Sequence, residues 1–360
     1  MKIRSLTLVV SNECNYNCIY CYRKKNAGSM DYSTARKSIA FFSPFLTREY
    51  YVSFYGGEPL LCFELIRDAV NFLKGKNAEL KKRAEYSITT NGSLLTPEMM
   101  GFFNENSFSV EFSFDGLAQD ISRKKGSFKK AVFNIKRLLD CPDIELEINS
   151  VFSPRTVGYL AESIEFILGL GVQNIRISLS ILEPWNTGSL QKLENQLRKT
   201  RKITLEHYRK EGTIPVVNLR DGRRKGIFYC AAGSDRLSVL PDGGVWGCSL
   251  FYDFFWGRER KEESQEYEKY YFGALDNFID NHQNIYPRVS SNYSWLSVDN
   301  YSTPRMKCFL CPEVEECMIC PVNAAFAQGV LGKIPEYVCQ LQKIRINERK
   351  KWGQVLHYNT

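Results

Sequence analysis

The chain has 360 residues, 44% of them hydrophobic and 24% charged, enough for roughly two domains with buried cores. No run approaches the ~20 apolar residues of a membrane span, and MKIRSLTLVV is too short and lacks the small-residue cleavage site of a secretory signal. The chain is therefore expected in the cytosol, where thiols stay reduced and clustered cysteines bind metal. The formal charge of +8 is not gathered in one block, the densest basic runs being RKKGSFKK (123–130) and LRDGRRKG (219–226). Charge thus gives no argument for nucleic acid, nor does the chain carry a membrane segment.

In chain order the first half alternates strand and helix patterns. SLTLVVS (5–11) reads as a buried strand and YSTARKSIAFF (32–42) as a helix; YYVSFYGG (50–57) precedes a helical pattern over 60–75. AEYSITTNG (84–92) precedes a helix over 96–106 with Thr96 as its N-cap. SVEFSFDG (109–116), IELEINSVFS (144–153) and VQNIRISLSI (172–181) are three more strands, with helices near 127–139 and 158–170 between them. Six β/α units in about 180 residues predict parallel strands with helical crossovers. A full eight-fold barrel needs about 250 residues, so the expectation is a partial (β/α)6 TIM-like barrel over 1–183. A helical linker follows over 184–225, with a helix at 190–211. Residues 226–360 have little β/α alternation and seven of the twelve cysteines, which suggests a unit organised by metal rather than by a large apolar core.

Residues 14–21, CNYNCIYC, place Cys14, Cys18 and Cys21 directly after the first strand. Zinc and ordinary iron–sulfur sites take four protein ligands. Three thiolates on a four-iron cluster leave one iron open to a small molecule, although a zinc site or incidental cysteines remain the competing reading of the spacing alone. GGEP (56–59) ends the second strand, TTNG (89–92) the third and SFDG (113–116) the fourth. All four sequences therefore fall on one rim, the C-terminal end of the strands, where such folds carry their chemistry.

With Tyr20 before the last cysteine and GGEP after the second strand, the chain resembles the radical SAM superfamily. The resemblance implies a [4Fe–4S] cluster on Cys14, Cys18 and Cys21 that binds S-adenosylmethionine (SAM) and cleaves it reductively to a 5′-deoxyadenosyl radical. It further implies that Gly56 and Gly57 let backbone approach the methionyl group and that Glu58 takes its ammonium. Thr90 and Asn91 fall where ribose or carboxylate contacts are usual, with a plain Asn-Gly turn as the alternative. Ser113 and Asp115 match the family's SxDG motif. Arg123 falls near a carboxylate-binding arginine of relatives, in a stretch that is compressed here. Asn149 faces the cofactor or is a satisfied buried amide.

The second half carries Cys230, Cys248, then Cys308-x2-Cys311-x5-Cys317-x2-Cys320, then Cys339. This resembles the SPASM domain, the auxiliary-cluster extension of peptide-modifying radical SAM enzymes. The family pattern implies one [4Fe–4S] cluster on Cys308, Cys311, Cys317 and Cys339. It implies another on Cys230, Cys248 and Cys320, with a fourth position left for a substrate thiol, water, Asp235 or Asp242. If all three clusters are present they contribute about −4 of charge, from about −2 per four-thiolate and −1 per three-thiolate cluster. Zinc is the alternative for the two CxxC pairs. Cys62 and Cys141 are expected as buried small hydrophobes, and the three histidines support no acid–base site.

The resemblance implies peptide or protein modification by hydrogen abstraction, ending in a crosslink or an oxidation. Sulfatase maturation, which generates formylglycine, is an alternative. Such enzymes usually carry an acidic residue directly after the second auxiliary cysteine, where this chain has Ser249, with Asp253 nearby. A non-catalytic electron carrier would have no use for GGEP. The expected partners are a peptide or protein substrate and an electron donor such as flavodoxin or ferredoxin. The first strand begins within about five residues, so no leader-binding module is expected before it; leader recognition would fall to the barrel, the second domain or a separate leader-peptide-binding protein.

Overall fold

The computed structural model describes residues 1–23, 28–220, 226–256 and 265–357. Residues 221–225 of the basic run LRDGRRKG lie outside the described residues.

Among the described residues nine strands make one sheet in the order β6-β5-β4-β3-β2-β1-β7-β8-β9. They are β1 (Ile3–Ser11), β2 (Leu46–Gly56), β3 (Arg83–Thr90), β4 (Ser109–Ser113), β5 (Glu145–Phe152), β6 (Ile175–Leu179), β7 (Arg236–Val239), β8 (Gly244–Trp246) and β9 (Tyr271–Ala274). The first seven are parallel, while β8 and β9 are antiparallel. β6 does not pair with β1, so the α/β barrel is partial and open along one side, as six units require.

The crossovers are α1 (Tyr32–Phe42), α2 (Phe63–Leu80), α3 (Pro97–Glu105), the short α4 (Gln119–Ser122), α5 (Phe128–Leu139) and α6 (Leu160–Gly169). Each long helix forms because its apolar residues recur at helical spacing; α5, for example, buries Ala131, Ile135 and Leu138. Thr96 caps α3 by accepting from Met99 N at 3.2 Å, and Asp31 caps α1 by accepting from Thr34 N at 2.7 Å. α7 (Thr187–Glu211) packs on α6 and ends at Gly212 in the left-handed region.

The second half differs from its expected texture. β7 pairs with β1 in parallel, Leu6 opposite Leu237 and Leu8 opposite Val239. One apolar cluster runs from Leu6 and Phe54 through Val245, Trp246, Phe251 and Phe278. The sheet thus extends into residues 226–360, and their apolar side chains join the same core. The reason is hydrophobic burial: Leu237, Val239 and Val245 are fully buried, and full burial of each contributes about 1.5–3 kcal/mol. The remaining helices are α8 (Ser249–Trp256), α9 (Leu275–Ser294), α10 (Pro321–Gln328) and α11 (Glu336–His357). A smaller cluster of Val298, Tyr301, Ile319, Ile334 and Val338 surrounds Cys308. No described helix is long and apolar enough to cross a membrane.

Candidate radical site

The loop after β1 carries Cys14, Cys18 and Cys21, and all three line one cavity of about 350 Å³ at the C-terminal ends of the strands. Backbone bonds hold this loop against the next strand. Gly57 N donates to Ser11 O and Glu58 N to Glu13 O, both at 2.8 Å. A Cβ on Gly56 would lie 2.1 Å from Ser11 O, and one on Gly57 would lie 2.1 Å from Glu13 O. Both glycines line the cavity, but the backbone that launches Cys14 is what leaves no room for a side chain. Gly57→Ala is therefore expected to cost about 1–3 kcal/mol, the range for forced overpacking, and to lower iron retention by the first cysteine set. Denaturant titration and iron analysis check this; an unchanged midpoint and iron content would contradict it.

Glu58 is held by donors of the chain itself. It is fully buried and accepts from Thr90 Oγ1 at 2.6 Å, Asn91 N at 2.8 Å and Leu60 N at 3.0 Å. Burial pushes its carboxyl up, and these three bonds hold it down. Its carboxylate ties β2 to β3, and it is absent from the residues lining the cavity. Asn91 Oδ1 accepts from Ser93 N at 2.9 Å, the Asx turn of an Asn-Gly corner, while Nδ2 donates to Asn15 Oδ1 at 2.9 Å. Asn15 lies between Cys14 and Cys18, so the third strand also braces the cysteine loop. Thr90 and Asn91 both line the cavity.

Asp115, fully buried, organises the opposite wall. It accepts from Tyr20 Oη at 2.5 Å, Arg123 Nη2 at 2.9 Å, Val151 N at 2.8 Å and Ser122 Oγ. The Arg123 guanidinium also lies 5.4 Å from the Tyr20 ring centroid, and its Nε has no partner. Burial opposes the charge of Arg123, but Asp115, Tyr20 and Cys18 outweigh it and hold the proton more firmly than usual. Ser113 lines the cavity opposite Asn149 in register. Asn149 donates to Glu111 Oε1 at 3.0 Å and accepts from Ser178 Oγ at 2.8 Å. It is a satisfied amide on the cavity wall.

Several lining residues escaped the sequence reading: Tyr16, Tyr22, Arg23, Tyr55, Glu111 and Ser178. The alternation Ser-x-Glu-x-Ser over 109–113 was the readable signal for Glu111, since period-two polar residues share one strand face. Tyr22 and Tyr55 hydroxyls meet at 2.7 Å. Arg23 faces Asp253 at 3.4 Å, both nearly fully buried. Burial pushes the Asp253 carboxyl up to about 6, against the pull of Arg23. Asp253 sits one helical turn beyond Ser249 and points at Arg23.

The other cysteines gather as two sets. Cys308, Cys311, Cys317 and Cys339 line one cavity of about 250 Å³. Cys248 lies within electrostatic reach of Cys320 and Cys230, and Cys320 is the N-cap residue of α10. Burial pushes the thiols of Cys18 and Cys308 up to about 11 and that of Cys248 to about 12. A low-dielectric thiol set of this kind suits a thiolate-ligated cluster, whose metal displaces the protons. Among the described residues no three of His, Cys, Asp and Glu converge around a single ion. Asp242 is exposed and accepts from Gly244 N in the β7–β8 turn. Cys62 and Cys141 are half-buried against the apolar core rather than fully buried.

Residues 8–167 match the family model of the radical SAM superfamily. They are a radical SAM domain. That family binds a [4Fe–4S] cluster and SAM, and the thiol trio with its adjoining cavity fits both groups. The chain is 29% identical over 252 residues to an uncharacterised protein of Methanocaldococcus jannaschii, covering 68% of this chain and 85% of that one. It is 25% identical over 318 residues to the radical SAM cyclopropyl synthase TigE of Paramaledivibacter caminithermalis, covering 79% and 65%. A cysteine-type anaerobic sulfatase-maturating enzyme of Clostridium novyi is 29% identical over 182 residues, covering 46% and 48%. Among solved structures, anSMEcpe with bound AdoMet and Cp18Cys peptide has a TM-score of 0.73 at 15% identity, covering 99% of this chain and 100% of that one. This last likeness shows that the whole chain, the cysteine-rich part included, shares the fold of that structure.

Proposed function

We propose that the chain is a radical SAM enzyme that oxidises or crosslinks a peptide, using three [4Fe–4S] clusters held by its three cysteine sets. When bound, the cluster at Cys14, Cys18 and Cys21 and its SAM supply a 5′-deoxyadenosyl radical that abstracts hydrogen from the substrate. The chain's own residues bind and orient: Gly56 and Gly57 fix the cysteine loop, Asp115 aims Arg123 and Tyr20 at the cavity, and Thr90, Asn91, Ser113 and Asn149 offer polar wall atoms.

One observation carries the peptide reading. A second chamber of about 440 Å³ is lined by Cys248 and shares Tyr22, Tyr55, Thr89 and Glu111 with the radical cavity. A substrate held across that wall would sit between the first cysteine set and the Cys230, Cys248 and Cys320 set, which would take up the electron left after hydrogen abstraction. Both cavities are in the size range of small-molecule and side-chain sites. anSMEcpe, of similar fold, holds a peptide. Ser249, buried and lining the chamber, stands where sulfatase-maturing relatives usually place a carboxylate, which supports crosslinking or oxidation over formylglycine formation.

The test is incubation with any short peptide encoded beside this chain's gene, together with SAM and a reductant. The expected product is lighter by about two daltons per bond, one hydrogen leaving to the radical and a proton and an electron to the protein. Serine oxidation to formylglycine gives the same mass loss, so hydrazide trapping is read alongside. A hydrazide-reactive aldehyde in a sulfatase-derived peptide, with no change in the neighbouring peptide, would overturn the reading in favour of sulfatase maturation.

A further inference from the structure

The inside of a parallel α/β barrel is ordinarily filled by layers of bulky branched side chains. Here one layer is made of hydroxyls. Ser238 on β7 is registered with Thr7 on β1, Thr7 with Ser53 on β2, Ser53 with Ser87 on β3, Ser87 with Ser109 on β4, and Ser109 with Glu145 on β5. Ser53 and Ser87 hydroxyls lie 2.7 Å apart, and Ser109 Oγ donates to Glu145 Oε2 at 2.7 Å. These short side chains leave the chamber of about 440 Å³ open inside the sheet.

The charges around it are unequally matched. Glu147 is paired by both oxygens with Arg176, at 2.5 and 2.9 Å. Glu145 and Arg236 are exposed at the mouth and opposite in sign. Glu111, one register step from Glu147, lies at the inner end, on the wall common to both cavities. Among the described residues its one hydrogen bond is from Asn149 Nδ2, and it forms no ion pair. Burial and the neighbouring Glu147 carboxylate push its carboxyl up, against the pull of the Asn149 amide and the more distant Arg176 and Arg123. A carboxylate removed from water needs a cation or several donors to offset its desolvation.

We propose that this chamber is a subsite for a cationic side chain of the substrate, with Glu111 as its counter-ion and the hydroxyl layer as its hydrogen-bonding floor. The inference rests on the peptide reading only for the bearer of that charge, a lysine or arginine. Seated against Glu111, the cation anchors the substrate beside the radical cavity and leaves a neighbouring residue within it. A charge-assisted bond in a partly desolvated site discriminates strongly against a neutral isostere.

The probes are Nα-acetyl-arginine amide and Nα-acetyl-citrulline amide, alike in shape and different in charge. They are titrated by ligand-observed NMR into the reconstituted full chain with SAM and no reductant, so no turnover intervenes. The expected result is about tenfold tighter binding of the arginine probe, a difference of about 1.4 kcal/mol. Glu111→Gln should erase that preference, and Ser87→Val, which narrows the floor, should weaken both probes. Equal affinity for the two probes in the unaltered chain, binding of neither, or a preference that survives Glu111→Gln would overturn the proposal. Because binding is read without chemistry, a charge preference together with an unmodified peptide would retain the subsite and remove the peptide reading.

Discussion

Replacing Cys14, Cys18 and Cys21 together with alanine is expected to abolish 5′-deoxyadenosine formation from SAM under anaerobic reducing conditions. The three thiols line one cavity on a loop pinned by Gly57 and Glu58 backbone bonds, and no other described cysteine lines it. Residues that act as one unit are strongly non-additive, so each single alanine should approach the triple variant's loss. Replacing Cys308 and Cys311 acts at a separate cavity and should leave uncoupled cleavage. Product chromatography decides between them. Undiminished cleavage in the triple variant would sink the site assignment.

Asp115→Ala, just behind the cavity wall, should be the most destabilising single substitution around the cavity. It removes a fully buried carboxylate that accepts from Tyr20, Ser122, Arg123 and Val151. The Arg123 side chain, 7% exposed, would be left as a buried unpaired cation. Breaking such a pair from one side costs about 3–5 kcal/mol, against a total stability of about 5–15 kcal/mol for a domain. Asp115→Ala with Arg123→Leu should recover much of the loss, because both charges are then gone. Urea unfolding of the three variants measures this. A loss under about 1 kcal/mol for Asp115→Ala, or no recovery in the double variant, would contradict the account.

What the sequence disclosed follows the range of the interactions involved. The six β/α units were legible because strand and helix periods are local, and because turn sequences such as TTNG punctuate them. The spacings Cys14–Cys21 and Cys308–Cys320 were legible because each is a short segment, whereas the grouping of Cys230 with Cys248 and Cys320 came only from the family resemblance. β7 was not, since a four-residue strand, RLSV, takes its identity from Leu6 and Leu8 more than two hundred residues earlier. The partners of Glu58 were hidden for a similar reason. Its motif places it on the rim, but Thr90 and Asn91 of the next strand claim its carboxylate. Arg123 matched its motif weakly, yet Asp115 turns it into the cavity. Glu111 hid within a strand pattern, and only the register of β4 on β5 puts it opposite Glu147 at the junction of two cavities. Asp253 likewise gains its direction only from Arg23, on a loop at the far end of the chain.

The central claim, three clusters on three cysteine sets, is tested most directly by anaerobic iron and sulfide analysis of the reconstituted chain. Four irons and four sulfides per cluster predict about twelve of each per chain. Removing the cysteines of any one set should lower both to about eight. About four of each in the unaltered chain, unmoved by replacing Cys308, Cys311, Cys317 and Cys339, or stoichiometric zinc in their place, would contradict it.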